Sequence, residues 1–142
     1  MTMYRLIPLA LLVAVACGCG SSSSPATPTT TSAPYSQTDL VVGTGATASI
    51  GNTVTVSYTG WLHDSSKTDA KGQIFQPAAT SQFALTSGSL IEGWIRGVPG
   101  MRVGGQRRLV IPPELAYGSA GRPPSIPPNA TLVFEIGLIS IP

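Results

Sequence analysis

Thr53-Val54-Thr55-Val56-Ser57-Tyr58 alternates strictly, with Val54, Val56 and Tyr58 on one side of the chain and Thr53, Thr55 and Ser57 on the other. A repeat of two is that of a β-strand, here apolar on one face and polar on the other. Working outward, the same pattern returns. Phe83 and Leu85 share a side in residues 82–85, Leu109 and Ile111 do so in residues 107–111, and Leu132, Phe134, Ile136 and Leu138 point one way in residues 131–141. Residues 40–42 form a shorter candidate, bounded by Gly43 and Gly45. Between these runs lie turns of Gly, Pro, Asn and Ser, so the strands are expected to pair as an antiparallel sheet.

One segment breaks the alternation. Ser89-Leu90-Ile91-Glu92 has the spacing of a capping box and predicts a helix starting at Ser89. Leu90, Ile91, Trp94 and Val98 recur at intervals of three to four and share a face, while Gly97, Pro99 and Gly100 stop the helix after about two turns. That face needs cover, and the concave side of the sheet is the available partner. The expected class is therefore α+β, a curved antiparallel β-sheet wrapped around one short α-helix.

At 142 residues the chain holds one domain with short appendages. Residues 1–19 read as a secretory signal: one positive charge at Arg5, then an apolar run broken by Pro8 and ending in small residues, too short for a comfortable membrane span. Both cysteines, Cys17 and Cys19, stand at its end. Ala14-Val15-Ala16-Cys17 resembles the lipobox of bacterial lipoproteins, although Ala14 departs from the preferred leucine. That resemblance implies acylation of Cys17, with Cys19 as the alternative, and a membrane-anchored lipoprotein on the periplasmic or cell-surface side; an ordinary cleaved signal with incidental cysteines is the other reading. Residues 20–37 are Ser, Thr, Pro, Ala and Gly with a single Tyr35 and a closing Gln37, carry no charge, and read as a tether. The folded domain is expected over residues 38–142.

Composition removes several functions. Charged residues are 10% of the chain and net +2, too few for the basic surface that nucleic acid requires. A single histidine, His63, and six scattered carboxylates give neither a Ser/His/Asp set nor a cluster of metal ligands. Arg107 and Arg108, adjacent on a strand, are expected at a solvated strand end, and the polar residues 63–72 as a solvated bulge. Tyr58, Phe75, Trp94 and Phe134 read first as core aromatics. Tyr117 differs: it follows Pro112-Pro113-Glu114-Leu115-Ala116 in a turn, from which its hydroxyl can enter a cleft. Beyond it, residues 121–128 carry four prolines and Ile126 as the lone large apolar group, a stiff wall.

Val56-Ser-Tyr-Thr-Gly60, Leu90-Ile-Glu-Gly-Trp94, Gly97-Val98 through Met101, Val103-Gly104 and Gln106, Ala116-Tyr-Gly118, and Ile126-Pro-Pro-Asn-Ala-Thr-Leu-Val-Phe134 follow one another in the order of the FKBP-type peptidyl-prolyl cis-trans isomerases. The resemblance covers about 105 residues. It implies that fold and that activity without metal or cofactor, on proline-containing polypeptide clients, in a monomer whose pocket macrolide inhibitors also enter. Carried over by position, it implies a pocket floor at Trp94 with Leu90 and Ile91 on the rim, the backbone N–H of Ile91 binding a ligand carbonyl. Tyr58, Phe75 and Phe134 become walls, Tyr117 donates to the carbonyl of the residue before proline, and Ile126 overhangs. The sequence also departs from the family: Gln76 replaces an aspartate that lines the pocket, Ser81 stands for the first of two paired phenylalanines, and Arg122 and Ser125 replace a histidine and an aliphatic residue of the loop. These departures leave a second reading open, a non-catalytic proline-peptide-binding module acting as adaptor or holdase.

Overall fold

The computed structural model describes residues 32–142. The signal segment, Cys17, Cys19 and most of the tether therefore lie outside the described residues. Five antiparallel strands, β1 (Ser36–Val41), β2 (Thr53–His63), β3 (Lys71–Ala84), β4 (Gln106–Ile111) and β5 (Leu132–Ser140), form one sheet in the order β1-β4-β5-β2-β3. One helix, α1 (Glu92–Gly97), lies against its concave face. The expected class is the one observed.

The alternating faces meet as the pattern requires. Val54 and Val56 from β2, Leu109 and Ile111 from β4, and Leu132, Ile136 and Leu138 from β5 join Val98 and Leu85 in one buried cluster. Register shifts between Tyr58 and Gly60, Gly60 and Trp61, and Trp61 and His63 break the β2–β3 ladder. Irregularities of this kind bend a strand and increase its twist.

Several boundaries differ from the sequence reading, and β2 itself runs on from Tyr58 to His63. The strand expected at residues 40–42 runs over Ser36–Val41, and Tyr35 before it packs on the core, so the fold starts inside the segment read as tether. Every residue of β1 is exposed, so no apolar alternation announces it; pairing with β4 alone makes it a strand. The strand expected at residues 82–85 reaches back to Lys71, because the polar residues after β2 close a tight turn. Asp64 accepts hydrogen bonds from the amide of Ser66 (2.9 Å) and its hydroxyl (2.6 Å), and the exposed bulge is confined to that turn. Pro77 is tolerated because β3 is an edge strand.

The helix is also shorter than expected, and its capping box does not form. The hydroxyl of Ser89 lies 2.7 Å from the carbonyls of both Ala84 and Thr86, where it donates instead of capping. Ile91, extended at φ −62° and ψ 147°, is the N-cap. What holds so short a helix is proximity to the sheet. A Cβ on Gly93 would stand 2.5 Å from Ile111, and one on Gly97 2.5 Å from Leu109, so hydrogen is the largest substituent that fits at either position.

Arg107 overturns its expected place at a solvated strand end. Its side chain is buried, only 7% of the residue being exposed. Its Nη1 donates to the carbonyl of Gly97 (2.7 Å) and, more weakly, of Pro99 (3.3 Å), while Nε pairs with Asp39. One guanidinium thus ties the edge strand to the C-terminus of α1, where a cation is also favoured by the helix dipole. Arg108 points to the other face, where it shares Glu135 with Lys71 (2.8 and 2.7 Å) and Lys71 lies 4.5 Å over the ring of Trp61. Burial pushes the Glu135 carboxyl up, but hydrogen bonds from Lys71 and Arg108 outweigh it and the net shift is down.

Truncating Arg107 strands two carbonyls and should cost about 2–4 kcal/mol. Asp39→Asn, at a half-exposed carboxylate, should cost under about 1 kcal/mol. Urea unfolding of the two variants checks the order. The hydrogen bond from Arg107 holds the Asp39 carboxyl below its usual range, so its contribution is complete at neutral pH and is lost as pH falls below about 4. The stability gap between the chain and Asp39→Asn should therefore close on acidification.

Candidate functional site

A cleft of about 920 Å³ opens between α1, the concave face of the sheet and the loops after β3 and β4. Its floor is Trp94, 4% exposed, presented by the first turn of α1. Three rings meet the indole edge to face: Tyr58 at 5.3 Å and 84°, Phe83 at 5.4 Å and 79°, and Phe134 at 5.3 Å and 89° between centroids and planes. Phe75 meets Phe134 in the same way at 5.4 Å and 87°. Such pairs place the positive ring edge on the negative ring face, and each adds about 0.5–1.5 kcal/mol beyond the area it buries. The indole N–H has no hydrogen-bond partner among the described residues.

These rings come together because the strand register brings them to one face. Tyr58 from β2, Phe134 from β5 and Phe83 from β3 project inward, and Gly60 leaves the space that Phe75 and Phe134 occupy. A Cβ at Gly60 would lie 2.6 Å from Cζ of Phe75 and 2.9 Å from Cε1 of Phe134. The opposite wall is built from loops. Tyr117 follows the 3₁₀ turn Pro113–Leu115, and its carbonyl accepts from the amide of Gly121 (3.1 Å), while Gly118 donates back to Pro113 (2.8 Å). Ile126, 3% exposed, is fixed by paired backbone bonds with Arg122 (2.9 and 3.0 Å).

Every site residue expected within the folded part lines this one cleft: Tyr58, Phe75, Gln76, Leu90, Ile91, Trp94, Tyr117, Ile126 and Phe134. Leu90 and Ile91 sit on the rim just before the helix, and the N–H of Ile91, as the N-cap, precedes the first helical hydrogen bond. The amide of Gln76 is turned onto the carbonyl of Pro77 (3.0 Å). Sequence reasoning placed Phe83 inward but gave it no part in the site; its register with Val54 sets its ring against both Tyr58 and Trp94. Ser81 does not line the cleft. Two charged groups on the rim, Glu92 and Arg122, were also missed as a pair, since only the fold brings them to one opening.

The floor and walls carry no charge. Glu92 is occupied by Arg96 at 3.2 Å, and the guanidinium of Arg122 lies 6.0 Å from the centre of the Tyr117 ring. His63 is not in the cleft, and the described residues contain no group of three His, Cys, Asp or Glu able to hold a metal. The arrangement can hold a compact apolar ring against the indole and offer hydrogen-bond donors from Tyr117 and Ile91.

Residues 45–139 match the family model of the FKBP-type peptidyl-prolyl cis-trans isomerases. FK506-binding protein 4 of Dictyostelium discoideum is 46% identical over 104 residues, covering 72% of this chain and 27% of that protein. An FK506-binding protein of Neisseria meningitidis serogroup A is 43% identical over 103 residues, covering 72% of this chain and 92% of the relative. The chain thus spans about a quarter of the longer relative and nearly all of the shorter one. A crystal structure of a peptidyl-prolyl cis-trans isomerase from Pseudomonas syringae pv. tomato superposes with a TM-score of 0.63 at 38% identity, over 75% of this chain and 74% of that one.

Gly60→Ala should force the Phe75 and Phe134 rings apart, at a cost of about 1–3 kcal/mol. Urea unfolding reads the loss and aromatic NMR resonances read the displacement; wild-type stability with unmoved rings would contradict the contact.

Proposed function

Because this chain belongs to the FKBP-type peptidyl-prolyl cis-trans isomerase family, we propose that it accelerates rotation about X-Pro bonds of polypeptides outside the cytoplasm, binding the twisted amide in the aromatic cleft. The observation that carries this reading is the uncharged floor of Trp94 with three rings, Tyr58, Phe83 and Phe134, closed around it and Tyr117 on the facing loop. Rotation crosses about 18–20 kcal/mol because the planar amide is resonance-stabilised. A twisted amide has lost that resonance and is less dipolar. An apolar cleft disfavours the planar form and retains the twisted one, and only such differential binding accelerates the step.

Each group has a role in this scheme. The proline ring sits on Trp94 between Tyr58, Phe75 and Phe134, and Leu90, Gln76 and Ile126 bound it. Tyr117 donates its hydroxyl to the carbonyl of the residue before proline, and the N–H of Ile91 takes a second carbonyl. No proton transfer, metal or cofactor is called on, which suits a cleft without a nucleophile–base pair among the described residues. Macrolides of the kind that name the FK506-binding relatives are proposed to occupy the same cleft. The protein is proposed to act as a monomer.

The N-terminus supports an extracytoplasmic location: a charged start, an apolar run, and Cys17 after small residues, followed by an uncharged tether. Several acyl chains on one cysteine would anchor the protein stably to a membrane face. A binding module without turnover is the second reading, supported by Gln76, whose amide is turned onto Pro77, and by Ser81, which stays outside the cleft.

An NMR-exchange assay with a Leu-Pro peptide separates the two. Tyr117→Phe removes one net hydrogen bond of about 0.5–1.5 kcal/mol, so kcat/KM should fall about two- to ten-fold, and Trp94→Leu should reduce it further. Peptide binding without acceleration by the folded chain would favour the module. For the anchor, Cys17→Ser should abolish palmitate labelling and release the protein from the membrane fraction. The same loss in Cys19→Ser alone moves the site to Cys19, and wild-type labelling absent altogether supports the cleaved-signal reading.

A further inference from the structure

The charged residues around the cleft are unevenly engaged. Among the described cations, Lys71, Arg96, Arg107 and Arg108 each lie within 4.0 Å of a carboxylate. Lys67, Arg102 and Arg122 form no ion pair with a described residue, and of these three only Arg122 lines the cleft. Its backbone is fixed: the amide donates to the carbonyl of Ile126 (2.9 Å), the carbonyl accepts from the amide of Ile126 (3.0 Å), and Pro123 and Pro124 follow. Its guanidinium stands over the ring of Tyr117, 6.0 Å from the centroid, on the solvent side of the opening. The one carboxylate that lines the cleft is already answered, since Glu92 is paired with Arg96 at 3.2 Å. Among the residues that line the cleft, Arg122 is therefore the one uncompensated charge, positive, and it stands over the Tyr117 ring.

We propose that Arg122 makes the cleft select polypeptides that carry an acidic side chain immediately before the proline. This rests on the isomerase reading above, in which Tyr117 receives the carbonyl of that same residue. A residue whose carbonyl is held at the tip of the Tyr117 ring brings its side chain alongside the ring, where Arg122 waits. A glutamate there has the reach to meet the guanidinium, and Arg presents a planar fork suited to a carboxylate. A lysine there meets a like charge. The pair forms at a wet rim, so its effect on selectivity is modest and depends on salt.

The test compares Glu-Pro, Gln-Pro, Leu-Pro and Lys-Pro peptides on the full chain, reading kcat/KM by NMR exchange and Kd by chemical-shift titration. Glu and Gln match in size, so their ratio isolates charge. Wild type should favour Glu over Gln by about two- to five-fold at low ionic strength, and this advantage should shrink at about 0.5 M salt. Arg122→Gln should bring the ratio near one, and Arg122→Glu should invert it and favour Lys-Pro. A wild-type ratio of one, or a ratio unmoved by Arg122→Gln, overturns the proposal. If no peptide is turned over, the isomerase reading fails by itself, and the Glu-to-Gln ratio of Kd values still decides the role of Arg122.

Discussion

A helix of six residues does not persist in water, because nucleating its first turn costs more than so few hydrogen bonds return. α1 exists because the concave face of the sheet admits it at backbone distance. Gly93 and Gly97 remove the side chains that would hold it off Ile111 and Leu109, and Arg107 reaches up from β4 to satisfy the carbonyls at its end. The curvature of the sheet, the depth of the cleft and the position of Trp94 all follow from that approach.

The cleft is in this sense a by-product of packing one helix into a curved sheet. Trp94 is at once the main aromatic of the core and the floor of the opening, so the same edge-to-face contacts that stabilise the fold also shape the surface offered to a ligand. The aromatic floor of a site made this way is uncharged. It suits a reaction in which no bond is formed or broken and no proton moves, only a rotation whose intermediate geometry has to be preferred over its planar ends. Scarcity of histidine and carboxylate, which excludes so much other chemistry, is no obstacle to it.

Charge in this protein is sparse and sorted by position. Arg107 works inside, as a clamp between an edge strand and the helix. Lys71, Glu135 and Arg108 line the outer face of the sheet beside Trp61. Arg122 is left at the mouth of the cleft, attached to the wall that carries Tyr117. Adjacent positions on one strand, Arg107 and Arg108, thus have opposite fates, and only the side of the sheet that each faces separates them.

Most strands of the sheet and most ring-bearing residues of the cleft are legible in the amino-acid chain, because period-two alternation and short Gly- and Pro-bounded turns are local signals written in the residues concerned. It also carried nearly all of the site, through short motifs in a fixed order. Tertiary structure decided what depends on partners distant in the chain. β1 is exposed throughout, its two apolar residues Leu40 and Val41 included, and becomes a strand only by pairing with β4. Ser89 has the right spacing for a cap but finds the carbonyls of Ala84 and Thr86 first. Phe83 enters the cleft through its register with Val54 on β2, and Arg107 is buried because Asp39 and the end of α1 converge on it. Local periodicity fixes which way a side chain points from its own strand; which neighbours it meets there is set by contacts tens of residues away, which no local pattern encodes.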